Sequence, residues 1–74
     1  MNGSWAVVLV YSTSYAIRIE RILKAAGIPG RLVPVPRHLS SDCGVCVRID
    51  PAQKEAVREA LTAAQVEYVG IEDV

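Results

Sequence analysis

The sequence predicts an α+β fold: four strands in one antiparallel sheet, with two helices on one of its faces. Three observations carry this expectation. A continuous apolar run begins near the N-terminus, two later segments repeat apolar residues at helical spacing, and one segment alternates strictly between apolar and other residues.

Trp5 to Tyr11 reads Trp-Ala-Val-Val-Leu-Val-Tyr, with the length and β-branched content of a central strand buried on both faces. Ser12, Thr13 and Ser14 then supply hydroxyls for a helix N-cap. Ala16, Ile19, Leu23 and Ala26, with Ile22 beside them, form an apolar stripe that ends at Gly27, while Arg18, Glu20, Arg21 and Lys24 point mostly toward water. Arg31 to Val35 is a second strand. Pro34 and Pro36 remove N–H donors that an interior strand needs, so this strand belongs at an edge.

Val45, Val47 and Ile49 alternate with Cys46, Arg48 and Asp50, which places the first set toward the core and the second toward the opposite face. Asp50-Pro51-Ala52-Gln53 reads as an N-cap, a proline at the first helical position and a glutamine placed for a capping box. Val57, Ala60, Leu61 and Ala64 are the stripe of the helix that follows, and Glu67 to Ile71 is a final short strand before Glu72 and Asp73. The two halves echo each other: Ala25-Ala26-Gly27-Ile28 resembles Ala63-Ala64-Gln65-Val66. The order is βαββαβ, and right-handed crossovers place both helices on the same side. The economical arrangement is a split-βαβ, ferredoxin-like sandwich with strands one and three central, two and four at the edges, and the other sheet face open.

At 74 residues the chain is one domain spanning positions 1–74, near the lower end of what folds without a staple. Lys plus Arg and Asp plus Glu number eight each, so no field of one sign favours nucleic acid or a membrane surface. The aromatics are Trp5, Tyr11, Tyr15 and Tyr68, too few to interleave with basic residues as a base-stacking platform. No apolar run approaches the roughly 18 residues of a membrane span, and the N-terminus lacks a signal-peptide pattern, so a cytoplasmic location is expected. In a reducing compartment two cysteines are more often reactive than a permanent bridge.

Those two cysteines, Cys43 and Cys46, stand in Arg37-His38-Leu39-Ser40-Ser41-Asp42-Cys43-Gly44-Val45-Cys46. Roughly seven residues, Arg37 to Cys43, join strands that a structural hairpin connects with two to five. Ser40, Ser41, Asp42 and Gly44 bend the chain, and Gly44 permits a positive φ beside Cys43. Turn N–H groups and a cation such as Arg37 or protonated His38 favour a thiolate, which makes Cys43 the candidate nucleophile. Cys46, three residues on, is a candidate to attack a mixed sulfur species on Cys43. Zinc would need Cys43, Cys46, His38 and Asp42 in a crowded tetrahedron, so neither metal nor cofactor is expected, although metal bridging a dimer through two cysteine pairs stays open. Arg18 and Arg48 read as solvated charges, and Trp5 and Tyr68 as core residues unless they form a patch on the open sheet face.

The run from Pro34 through Pro36-Arg37 and Ser40-Ser41-Asp42-Cys43-Gly44 to Arg48 resembles the signature of the selenium/sulfur carrier protein-like family, small domains that accompany YedF- and TusA-type proteins. The resemblance extends over nearly the whole chain. It implies a cysteine that carries sulfur or selenium as a persulfide or selenosulfide, mapped to Cys43, with Arg37, Ser40, Ser41 and Gly44 at the surrounding motif positions. The role of Cys46 comes from its spacing and not from the family. The expected function is a carrier, not a turnover enzyme, that takes the atom from a donor enzyme and passes it to an acceptor enzyme. The alternative is a regulatory or interaction module whose Cys-x-x-Cys pair senses redox state or binds metal, with homodimerisation through the open sheet face.

Overall fold

A computed structural model describes residues 5–37, 39 and 44–74 of the chain. Its elements are β1 (Ala6–Leu9), α1 (Thr13–Ala25), β2 (Arg31–Pro34), β3 (Val45–Ile49), a 3-10 turn (Pro51–Gln53), α2 (Lys54–Ala63) and β4 (Gly70–Asp73). The four strands form one sheet in the order β2-β3-β1-β4, and every neighbouring pair is antiparallel. β1 and β3 are therefore central and β2 and β4 are edges, so Pro34 lies on an edge strand, where a missing donor is tolerated.

β1 is buried along its whole length because it has a neighbour on each side and apolar cover on each face. Its even-numbered residues Ala6 and Val8, with Val10 beyond the strand, join Val47 and Ile49 of β3 in the main core. Ala16, Ile19 and Leu23 of α1 and Val57 and Leu61 of α2 close that core, so both helices cover the same sheet face. Of the expected stripe in α1, only Ala26 fails to reach the core: it is the exposed C-cap. Gly30 lets β2 start close under α1, since a Cβ there would meet Leu23 Cδ1 at 3.1 Å and Val47 Cγ1 at 3.2 Å.

Both helices end the same way. At α1, Ile28 N–H donates to the Leu23 carbonyl (2.8 Å) and Gly27 N–H to that of Lys24 (3.1 Å), with Gly27 at φ 75°. At α2, Val66 N–H donates to Leu61 and Gln65 N–H to Thr62, both at 3.1 Å, with Gln65 at φ 57°. These are paired Schellman closures, each followed by an apolar residue that turns back to the core. The helix starts differ. Asp50 Oδ1 accepts from Ala52 N–H at 2.9 Å and caps the 3-10 turn that leads into α2. Ser12 is extended (φ −157°, ψ 166°) and its side chain makes no cap, contrary to expectation; only its carbonyl engages, accepting from Ala16 N–H at 3.2 Å.

Strand boundaries also differ from expectation: β1 spans only Ala6–Leu9 of the expected Trp5–Tyr11, and β4 ends at Asp73, beyond the expected Ile71. β2 stops at Pro34, one residue early. β4 begins at Gly70, not Glu67, because the chain leaving α2 first buries Val66 and packs Tyr68 against the core. Pairing with β1 begins only where Val69 N–H reaches the Leu9 carbonyl at 2.8 Å, and continues to Val74 N–H on Trp5 at 2.9 Å.

The second sheet face is not open as expected. Val7, Leu9 and Cys46 are buried there, and Val33, Val35 and Leu39 pack against them. Val35 and Leu39 belong to the connection between β2 and β3, so that connection supplies part of the cover. A row of apolar side chains on a solvent-facing sheet favours such closure, because every square ångström covered is stabilising.

Candidate functional site

The alternation along β3 places Cys46 and Arg48 on the face away from the helices. Strand pairing then defines two rows across that face. One runs Val33, Cys46, Leu9, Gly70; the next runs Arg31, Arg48, Val7, Glu72.

Cys46 sits in the middle of the apolar row with 0% of its surface exposed. Its Sγ lies 3.9 Å from the Pro34 carbonyl, within reach of a weak S–H donor. A thiol so enclosed meets no solvent reagent unless the cover over this face opens.

Around it stand the described residues of the β2–β3 connection. Leu39 N–H donates to the Pro36 carbonyl at 3.0 Å, closing a turn around Arg37, whose side chain is exposed. Gly44 accepts from Val35 N–H at 3.1 Å and extends the β2–β3 ladder by one bond. Its φ does not use the left-handed region that glycine permits; among the described residues only Gly27 and Gln65 adopt that region. A Cβ at Gly44 would meet nothing within 4 Å, so neither conformation nor crowding demands glycine there. Cys43, Ser40, Ser41, His38 and Asp42 lie outside the described residues. Among the described residues no three His, Cys, Asp or Glu side chains gather as a metal site.

The charged row holds residues whose importance sequence reasoning missed. Arg48, expected to be a solvated charge, is half-buried with its guanidinium carbon 4.2 Å from the centroid of the Trp5 ring. Trp5, expected in the core, is 42% exposed because its odd position turns it to this face beside Val7. The signal was parity: Trp5, Val7 and Leu9 alternate together, as do Cys46 and Arg48. Tyr68 does pack against the main core, as expected. A cleft of about 490 Å³ lies elsewhere, at the end of α1 between Glu20, Arg21, Lys24 and Ile28.

Fold and site define a small α+β domain in which a hairpin connection packs on the free face of an antiparallel sheet, over a buried thiol. Among the described residues no helix is long and apolar enough to cross a membrane. The chain belongs to the family described as "Putative Se/S carrier protein-like", whose model matches residues 6–72. No curated protein and no solved structure matches the chain.

Proposed function

We propose that this protein carries sulfur or selenium on Cys43, receiving it from one enzyme and delivering it to another. The observation that carries the reading is the family match across residues 6–72, which includes the Ser-Ser-Asp-Cys-Gly segment. The strand order β2-β3-β1-β4, with both helices on one face, supports reading the fold as ferredoxin-like.

In the loading step the Cys43 thiolate attacks the outer sulfur of a donor persulfide. A new S–S bond forms, the donor S–S bond breaks, and the donor cysteine leaves as a thiolate. The sulfane sulfur moves without net oxidation of the pair. Delivery is the same step with the acceptor as nucleophile. Selenium follows the same course as a selenosulfide. Arg37, Ser40, Ser41 and Gly44, at the motif positions around Cys43, are proposed to shelter the anion through a guanidinium, hydroxyls and turn N–H groups. Because Arg37 is exposed, its charge is available to a partner or to the carried atom.

A two-thiol relay through Cys46 demands more. Cys46 is enclosed, so the thiol of a partner enzyme reaches it only when the start of β3 or its cover opens. Cys43 alone suffices for a carrier, and we assign Cys46 the secondary role.

Intact-mass spectrometry tests the reading. After incubation with glutathione persulfide or its selenium analogue, the wild type should gain the mass of one sulfur or selenium atom, removable by a thiol reductant. Cys43→Ser should gain none, and Cys46→Ala should load as the wild type does. Equal loading of the wild type and Cys43→Ser would overturn the assignment, and loss of loading in Cys46→Ala alone would transfer the role to Cys46.

A further inference from the structure

The charged row on the free sheet face ends in a cleft of about 260 Å³, lined by Trp5, Arg31, Arg48, Pro29, Ile49 and Asp50 together with the Gly30 backbone. Arg31 and Arg48 are direct partners across β2 and β3. Like charges opposite each other in an antiparallel pair repel, and such a pair is destabilising unless an anion is shared between them. Among the described residues neither guanidinium has a hydrogen bond or ion pair, and that of Arg48 lies over the Trp5 ring.

That contact leaves the rim of the Arg48 guanidinium, which bears the N–H donors, unused. It also restrains a long side chain that would otherwise lose rotamer freedom on binding. Two carboxylates lie near. Asp50 borders the cleft, and its Oδ1 already accepts from Ala52 N–H. Glu72 stands in the same row beyond Val7, on the far side of β1.

We propose that this cleft binds a small organic anion, with a carboxylate or phosphate group held between Arg31 and Arg48 and an apolar body against Trp5 and Pro29. The cleft exceeds what a bare phosphate fills, and its walls beyond the two arginines are chiefly apolar. This matches the usual division of a small-molecule site into a hydrophobic lining and a few placed polar groups. The site stands on different residues from the carrier reading and does not depend on it.

The test is a titration followed by NMR, reading the indole N–H of Trp5, the chain's single tryptophan, and the arginine side-chain N–H signals. Phenyl phosphate and benzoate are added at fixed ionic strength, with inorganic phosphate and phenol as comparisons. Saturable shifts of the Trp5 and Arg48 signals are expected with the two organic anions, with weaker binding of inorganic phosphate and none of phenol. Arg48→Gln and Arg31→Gln should each weaken binding about tenfold, the scale of losing a charge-assisted hydrogen bond. Arg18→Gln, on α1, should not change it. If Arg48→Gln fails to fold, Arg31→Gln on the exposed edge strand decides alone. Shifts that stay linear with concentration, equal weakening by Arg18→Gln, or equal binding of phenol and phenyl phosphate would each overturn the proposal. Inorganic phosphate binding as tightly as phenyl phosphate would refute the apolar half of the site.

Discussion

At the scale of single residues, Cys46 shows how one position serves packing whatever it does chemically. It is fully enclosed between Leu9 and Val33, its cross-strand neighbours, and its sulfur touches no water. Cysteine behaves there as a small hydrophobe with a weak donor. Cys46→Ser should therefore cost about 1–3 kcal/mol, because a hydroxyl is more costly to remove from water than a thiol and this position is fully buried. Cys46→Ala removes the sulfur without adding a polar group and should cost less. Urea denaturation of both variants checks the order; serine as the milder change would mean that a hydrogen bond, not apolar packing, decides the site. Trp5 and Arg48 teach the complementary lesson. Each looks ordinary alone, and only the strand register makes them neighbours.

At the scale of elements, the matched helix ends explain the internal echo visible in the sequence. Each closure needs one residue in the left-handed region, then an apolar residue to lock the turn. Gly27 meets the first need without strain, whereas Gln65 meets it at φ 57° with a side chain that is exposed and makes no hydrogen bond among the described residues. An L-residue loses roughly 1–2 kcal/mol in this conformation, partly offset by the greater freedom that glycine has in the unfolded chain. Gln65→Gly should therefore raise stability by about 0.5–1 kcal/mol, seen as a higher urea midpoint with an unchanged slope. An unchanged or lowered midpoint would show that Gln65 contributes something in this position that its surroundings do not reveal. The turn into α2 was legible because aspartate and proline act locally, although Pro51–Gln53 wind as a 3-10 turn and α2 itself starts at Lys54. The start of β4 was not: Tyr68 and Val69 have strand propensity, but the helix closure and the burial of Val66 delay pairing until the chain reaches β1. The exposed pairs Lys54–Asp73, at 2.8 Å, and Arg58–Glu55 add little by comparison. The Arg58 guanidinium is held above its usual range first by its hydrogen bond and charge contact with Glu55, and secondarily by Tyr68.

At the scale of the whole molecule, the sheet separates two unequal cores. The helix-side core draws on β1, β3, both helices and Val66, while among the described residues the opposite cluster holds Val7, Leu9 and Cys46 with partial cover from Val33, Val35 and Leu39. Binary patterning made the larger core legible, since helices and strands each carry their own period. The smaller one was not, because its cover comes from an irregular connection with no period at all. The imbalance implies that the small cluster opens without the large one. Hydrogen-exchange and labelling studies on other proteins show such sub-global opening where few apolar contacts hold a segment. In a Cys43→Ser background Cys46 is the sole thiol, so its alkylation rate reports that opening. Leu39→Ala should accelerate alkylation about tenfold, corresponding to roughly 1.4 kcal/mol of lost cover. Val57→Ala, in the helix-side core, should lower global stability by about 1.5–3 kcal/mol yet leave the alkylation rate unchanged in the absence of denaturant, because its contacts persist while the small cluster opens. Should Val57→Ala accelerate alkylation as strongly as it lowers global stability, Cys46 would be reachable only through complete unfolding. Direct delivery from Cys46 to a partner enzyme would then have no native-state path.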